Sequence, residues 1–438
     1  MAKTDFFFPS APASVELRNV ENKSTSTKTL RAAIEERCPT LLKEFVPPWW
    51  MNGGHLQTLY CVVGDFTKFD KVDYKRTYVQ LTDGGTVGLD FTPVEGGELA
   101  DDTPIVVVLH GLTGGSHESY VRNILARACA PVEKGGLGYR AVVMNFRGCA
   151  GTPITGRQLY SAGWTNDIRQ SLMFIQHKYP DAPLHGIGFS LGANVLVRYL
   201  AEEGDHSRLS SGVALACPWD LAANNNALNN SFLGRHVYSK GMANNLLRVL
   251  RRHTEALVAD PTHEIAHAMH AAFRLKNPTL EDFDEAFTCK GGGGPPVFPL
   301  KDSAEYYKWA SSHHVLPDVR TPLLTLNAAD DPVVQQVPVG VDNPHVVMGV
   351  TKGGGHLGWF EAAQDRWFTP VRWISKPALE WLRMVGTDMV APARGKPLFV
   401  GEDGWIRQEG DESLGVKEIE EGQLVHGAER DEELIQGL

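Results

Sequence analysis

The chain has 438 residues, of which 42% are hydrophobic and 21% charged, with a mean hydropathy of -0.21; this excludes general disorder and supplies enough apolar material for a large core. The formal charge of -10 is concentrated at one end, because residues 401–438 carry 12 Asp/Glu against 3 Lys/Arg. The remainder is close to neutral, no concentrated basic surface stands out, and no nucleic-acid partner is expected.

Residues 1–45 read as an N-terminal arm with one short helix, Thr29 to Arg37. No apolar leader follows Met1 and no stretch approaches 18 uninterrupted apolar residues, so no transmembrane segment is expected and any membrane contact would be peripheral. Beyond the aromatic segment at 47–60, strands are predicted at Lys75 to Leu81, Thr86 to Pro93 and Pro104 to His110. The third, PIVVVLH, lacks polar interruptions, as a parallel strand covered on both faces should.

Helix and strand then alternate: helix Ser119 to Ala130, strand Arg140 to Phe146, helix Trp164 to Tyr179, strand Leu184 to Phe189, helix Leu191 to Glu203, strand Gly212 to Cys217. That rhythm means βαβ units and a mostly parallel sheet. Residues 222–320 read as a helical lid insertion, with the run Gly291 to Pro296 (GGGGPP) as a flexible loop within it. Strands return at Pro322 to Asn327 and His345 to Val350, and an amphipathic helix spans Val371 to Val385. The resulting division is an arm (1–45), a core in two parts (46–221 and 321–388), the insertion (222–320) and an acidic tail (389–438) that solvates.

Gly188-Phe189-Ser190-Leu191-Gly192 joins an apolar strand to a good helix pattern. A serine there occupies a sharp strand-to-helix turn, its flanking glycines avoiding collisions with neighbouring backbone, and it stands at a helix N-terminus where developing negative charge is favoured. A serine hydroxyl needs a base held by a carboxylate. The chain supplies both in the order Ser, acid, His: Asp330-Asp331-Pro332 follows one late strand and Gly355-His356-Leu357 follows the other. His356 is the base; Asp331, which directly precedes the proline, is the preferred acid, with Asp330 as the alternative. The oxyanion donors are assigned to the backbone amides of Leu191 and of Leu112, the latter in the glycine-rich loop His110 to Gly115. His110 reads as a structural hydrogen bonder.

These segments together resemble the α/β-hydrolase superfamily, and within it the branch of YheT-like and embryogenesis-associated hydrolases that includes fungal medium-chain acyl:ethanol O-acyltransferase/esterases. The motifs are GGHLQT (Gly53 to Thr58), HGLTGG (His110 to Gly115), NFRGC (Asn145 to Cys149), GFSLGAN (Gly188 to Asn194), NAADDP (Asn327 to Pro332) and GGHLGW (Gly354 to Trp359). The resemblance implies the α/β-hydrolase fold: a mostly parallel eight-stranded sheet flanked by helices, with a helical lid. It also implies carboxylesterase or acylglycerol lipase activity, sometimes with acyl transfer to an alcohol. NFRGC and GGHLQT are implied to be framework elements whose chemistry the sequence does not give.

The expected function is a serine hydrolase that cleaves short- to medium-chain carboxylic esters or acylglycerols through an acyl-enzyme on Ser190; acyl transfer to an alcohol acceptor, thioester hydrolysis and a catalytically silent binding module are alternatives. This chemistry calls for no metal and no organic cofactor. The rival motif His263-Glu264-Ile265-Ala266-His267 has the H-E-x-x-H form of zinc peptidases but lies in the insertion and reads as a histidine-rich lid helix. Cys38, Cys61, Cys129, Cys149, Cys217 and Cys289 form no Cys-x-x-Cys pair and read as reduced thiols of a cytoplasmic protein.

Overall fold

The computed structural model describes residues 4–18, 24–94, 99–362, 370–392 and 395–427. The central sheet is built from β1 (Asp5–Phe7), β2 (Asp73–Leu81), β3 (Thr86–Thr92), β4 (Ile105–Leu109), β5 (Arg140–Asn145), β6 (Leu184–Phe189), β7 (Leu209–Leu215), β8 (Leu323–Ala328), β9 (Val346–Thr351), β10 (Leu398–Val400), β11 (Ile406–Gln408) and β12 (Asp411–His426). Its spatial order is β1-β9-β8-β7-β6-β4-β5-β3-β2-β12-β11-β10. The six strands from β5 to β9 through β4 are parallel, and β3, β2 and the edge strands run antiparallel.

The sheet separates two cores by simple alternation. Ile105, Val107 and Leu109 of β4 face one core, together with Ile168 and Leu172 of the helix Asn166–Lys178 and Leu196 and Leu200 of the helix Leu191–Glu203. Val106 and Val108 face the other, with Val121, Ile124 and Leu125 of the helix Ser119–Ala128, and with Ala378, Trp381 and Leu382 of the helix Ser375–Arg383. Burial on both faces explains the uninterrupted apolar runs of these strands.

Between β7 and β8 the chain is helical, with long helices at Leu221–Asn230, Lys240–Arg252, Glu264–Arg274 and Ser303–Ala310. The glycine run is not a loose loop. Gly291, Gly292 and Gly293 are buried, and a Cβ on Gly293 would stand 2.5 Å from the Phe298 ring. Glycine here permits ring-to-backbone packing, so the expectation of flexibility is corrected.

The expectation of an eight-stranded sheet is also corrected: among the described residues the sheet has twelve strands. The arm adds β1 at one edge, and the segment expected to be a solvated tail adds three strands at the other. β12 pairs antiparallel along β2 from Asp73 to Leu81. Val416 is fully buried beside Ile406 of β11, Gly415 donates to Gln170 Oε1 at 3.3 Å, and Arg208 reaches both Lys396 O and Gln408 Oε1. The acidic residues did not prevent a strand because backbone pairing needs no apolar side chain and Glu418 faces solvent.

These contacts make the C-terminal strands a structural cover for the β2 edge. Val416→Ala should lower unfolding stability by about 2 kcal/mol. Removal of residues 398–438 should lower the melting temperature and shift size-exclusion elution toward larger species. Unchanged melting and elution would mean that the added strands contribute nothing.

Candidate active site

Ser190 sits at the turn between β6 and the helix Leu191–Glu203 with φ 51° and ψ -119°, a conformation that costs a non-glycine residue roughly 1–3 kcal/mol. The turn is held by Ser190 N–H donating to Leu215 O at 2.9 Å. Its flanking glycines are dictated by contact. A Cβ on Gly188 would lie 2.6 Å from Gly192 O, and one on Gly192 only 2.3 Å from Leu109 O.

His356 and Asp331 come from the turns after β9 and β8, at the carboxyl edge of the sheet. His356 Nε2 lies 2.8 Å from Ser190 Oγ, and His356 Nδ1 lies 2.8 Å from Asp331 Oδ2. Since the carboxylate can only accept, Nδ1 carries the proton and Nε2 is free to accept from the serine hydroxyl. The other Asp331 oxygen accepts the amides of Val333 and Val334 at 2.8 and 2.9 Å. Asp331 and His356 are 2% and 1% exposed, so this pair is shielded from water.

Asp330, the alternative acid, points elsewhere. Its Oδ1 accepts from the Gly355 amide at 2.9 Å, and burial holds its carboxyl above the usual carboxylate value in spite of that bond.

The roles of the two framework motifs are visible here. GGHLQT, in the helix Gly54–Val63, braces the histidine loop. Thr58 Oγ1 accepts from the His356 amide at 2.8 Å while donating to Gly54 O, and Gln57 donates to the Phe360 carbonyl and accepts from its amide. NFRGC braces the glycine-rich loop after β4: Asn145 Oδ1 accepts from Ser116 N–H at 3.0 Å, and the Phe146 amide donates to His110 Nε2 at 3.1 Å. Arg147 fixes the motif by a two-point pair with Asp167, both bonds 2.7 Å. His110 donates through Nδ1 to Gly111 O, and complete burial pushes its pKa down to about 3, so it stays neutral.

In that loop the Gly111 amide donates to Tyr120 Oη and the Thr113 amide to Tyr160 Oη, while Leu112 lies between them against Ser190 and Leu191 in one pocket. The pocket is roughly 810 Å³, including space open to solvent, and Leu221, Leu228, Met242 and Leu246 of the helical segment contribute its apolar wall.

The rival zinc motif does not assemble. His263 lies outside the helix Glu264–Arg274 as its N-cap, with Nδ1 accepting the Ile265 amide at 3.2 Å, so it does not share a helix face with His267. Among the described residues no three His, Cys, Asp or Glu side chains converge as a metal site. His313 hydrogen-bonds the Trp219 carbonyl. None of the six cysteines forms a disulfide among the described residues, and five are buried.

A family model described as the α/β hydrolase fold matches residues 104–363. The chain belongs to the α/β-hydrolase family. This hydrolase is 32% identical over 420 residues to a Saccharomyces cerevisiae protein named monoacylglycerol lipase, covering 86% of this chain and 88% of the relative. It is 31% identical to medium-chain fatty acid ethyl ester synthase/esterase 2 of the same yeast (72% and 81% covered) and 30% identical to an embryogenesis-associated protein of Picea glauca (78% and 72% covered).

Thr58 was legible in the sequence only as part of a motif, without a role. Replacing it with Val removes the acceptor of the buried His356 amide, a loss of about 1–3 kcal/mol in positioning. Steady-state kinetics should show kcat falling roughly 10-fold or more with little change in KM, and Thr58→Ser should restore most of it. A full-rate Thr58→Val variant would dismiss the bracing role.

Proposed function

We propose that this ester-hydrolysing enzyme of the α/β-hydrolase family cleaves short- to medium-chain carboxylic esters, acylglycerols among them, by a two-step acyl transfer through Ser190. The observation that carries the reading is the hydrogen-bond chain Asp331–His356–Ser190, which ends at an apolar pocket. Ser190 Oγ attacks the acyl carbon as its proton passes to His356 Nε2. The Leu191 and Leu112 amides receive the oxyanion. Collapse expels the alcohol, which takes the proton from His356. Water, deprotonated by the same nitrogen, then releases the acid and restores the serine.

Asp331 keeps the Nδ1 proton in place and stabilises the imidazolium; it is not itself protonated. The names of the yeast relatives support an acyl ester as substrate, and the apolar wall supports an acyl chain in the pocket. The helical segment between β7 and β8 serves as the lid over that chain. A second reading, transfer of the acyl group to an alcohol, is favoured by the apolar pocket, where water is a poor competitor, and by the relative named as an ethyl ester synthase. No helix among the described residues is long and apolar enough to cross a membrane, and six cysteines outside any disulfide fit a reducing compartment, the cytoplasm.

Kinetics with p-nitrophenyl esters tests the assignment. Asp331→Asn should lower kcat by about 10⁴-fold, because the amide favours the wrong tautomer of His356. Asp330→Asn should cost less than roughly 10-fold, since its contact is to a loop amide. The reverse ranking would transfer the acid role to Asp330. Adding ethanol should divert acyl-enzyme to ethyl ester if transfer competes with hydrolysis; free acid as the sole product would leave hydrolysis alone.

A further inference from the structure

The pocket that holds Ser190 is not apolar throughout. Asp284, on the helical turn Asp284–Thr288, lines it with its side chain almost wholly buried. Thr288 Oγ1 donates to one carboxyl oxygen at 2.6 Å and Tyr307 Oη to the other at 2.9 Å. No cation among the described residues pairs with it, and the charge acting on it is another carboxylate, Glu281. Burial pushes its pKa up to about 7.

Ser161 borders the same space. It is 3% exposed and lines the pocket, and its Oγ has no hydrogen-bond partner among the described residues. Its Cβ and the Thr288 methyl would both stand 3.0 Å from a Cβ at Gly292, which places it beside the group that donates to Asp284.

A carboxyl with no counter-charge and a hydroxyl with no partner are both costly to bury. Helix packing does not require either, since an apolar side chain would fill the same volume. An unbranched saturated acyl ester leaves the Ser161 Oγ without a partner and offers no donor to the remaining Asp284 lone pairs. A carboxyl has lone pairs beyond the two in use, and a hydroxyl entering the pocket would engage one of them and the Ser161 Oγ together.

We propose that Asp284 and Ser161 form a specificity subsite that binds a hydroxyl of the substrate remote from the scissile ester, so that hydroxyl-bearing esters are preferred over plain ones of equal length. The inference rests on Ser190 being the nucleophile. The hydroxyl can belong to the alcohol part, as in a partial glyceride, or to the acyl chain, and matched substrates separate these sources. In one arm kcat/KM is compared for 1-monooctanoylglycerol and propyl octanoate; in the other, for methyl 8-hydroxyoctanoate and methyl octanoate.

The wild type should favour the hydroxylated member of one arm by on the order of 10- to 100-fold. Asp284→Leu should bring that ratio to within about threefold, and Ser161→Ala should reduce it in part. Asp284→Asn, which keeps the shape but replaces one acceptor oxygen with a donor, should also lower the ratio and covers the case in which the leucine variant does not fold. Fluorophosphonate labelling of each protein reports an intact serine centre independently. An unlabelled wild type would defeat the nucleophile assignment itself. A labelled wild type with no preference in either arm, or a preference that survives in the folded Asp284 and Ser161 variants, would overturn the subsite.

Discussion

The hydrogen-bonded meeting of Ser190 with His356 depends on the close approach of backbone at the Ser190 turn. With Gly188 against Gly192 and Gly192 against the end of β4, the helix Leu191–Glu203 begins immediately above the sheet. Only there can one turn present a hydroxyl to a histidine from the β9 loop and, beside it, a helix-terminal amide to the pocket. A single added methyl at either glycine would separate the strand from the helix. The strained φ of Ser190 is maintained by the two cores that clamp β6 from both faces.

The two loops that meet the serine are held by motifs distant in sequence. His356 takes its position from Thr58 and Gln57, about 300 residues earlier, and a Cβ at Gly355 would stand 2.3 Å from Gly54 O. The loop bearing Leu112 is fixed through His110, Asn145 and the buried Arg147–Asp167 pair. Removing Arg147 would leave the Asp167 carboxylate buried without its counter-ion, whereas Arg147 has a second partner in Asp83. The positions of these loops are thus set by contacts spread over the whole core, as preorganised hydrogen bonding requires.

The parallel strands were legible because burial on both faces writes itself as an apolar run: PIVVVLH became β4 and LHGIGF became β6 with boundaries displaced by a residue or less. Motif order and loop position singled out Ser190, His356 and, in preference to Asp330, Asp331, and the structure places those three side chains within hydrogen-bond distance, one after another. The edge strands were not. β1 is three residues long, and β12 carries glutamates where its neighbour needs only backbone donors and acceptors. The glycine run was misread because its reason, the Phe298 ring packed on Gly293, is a side-chain contact that leaves no periodic signal. Asp284 likewise gave no signal, since within the acidic run Glu281-Asp282-Phe283-Asp284-Glu285 it reads as one more solvent-facing carboxylate until its burial is known.

The central claim is that Ser190 is activated by His356. Labelling of the purified protein with a fluorophosphonate, with the modified peptide identified by mass spectrometry, tests it most directly. A single adduct on Ser190 is expected, and it should disappear in both Ser190→Ala and His356→Ala. A folded wild type that stays unlabelled, or an adduct on any other side chain, would contradict it.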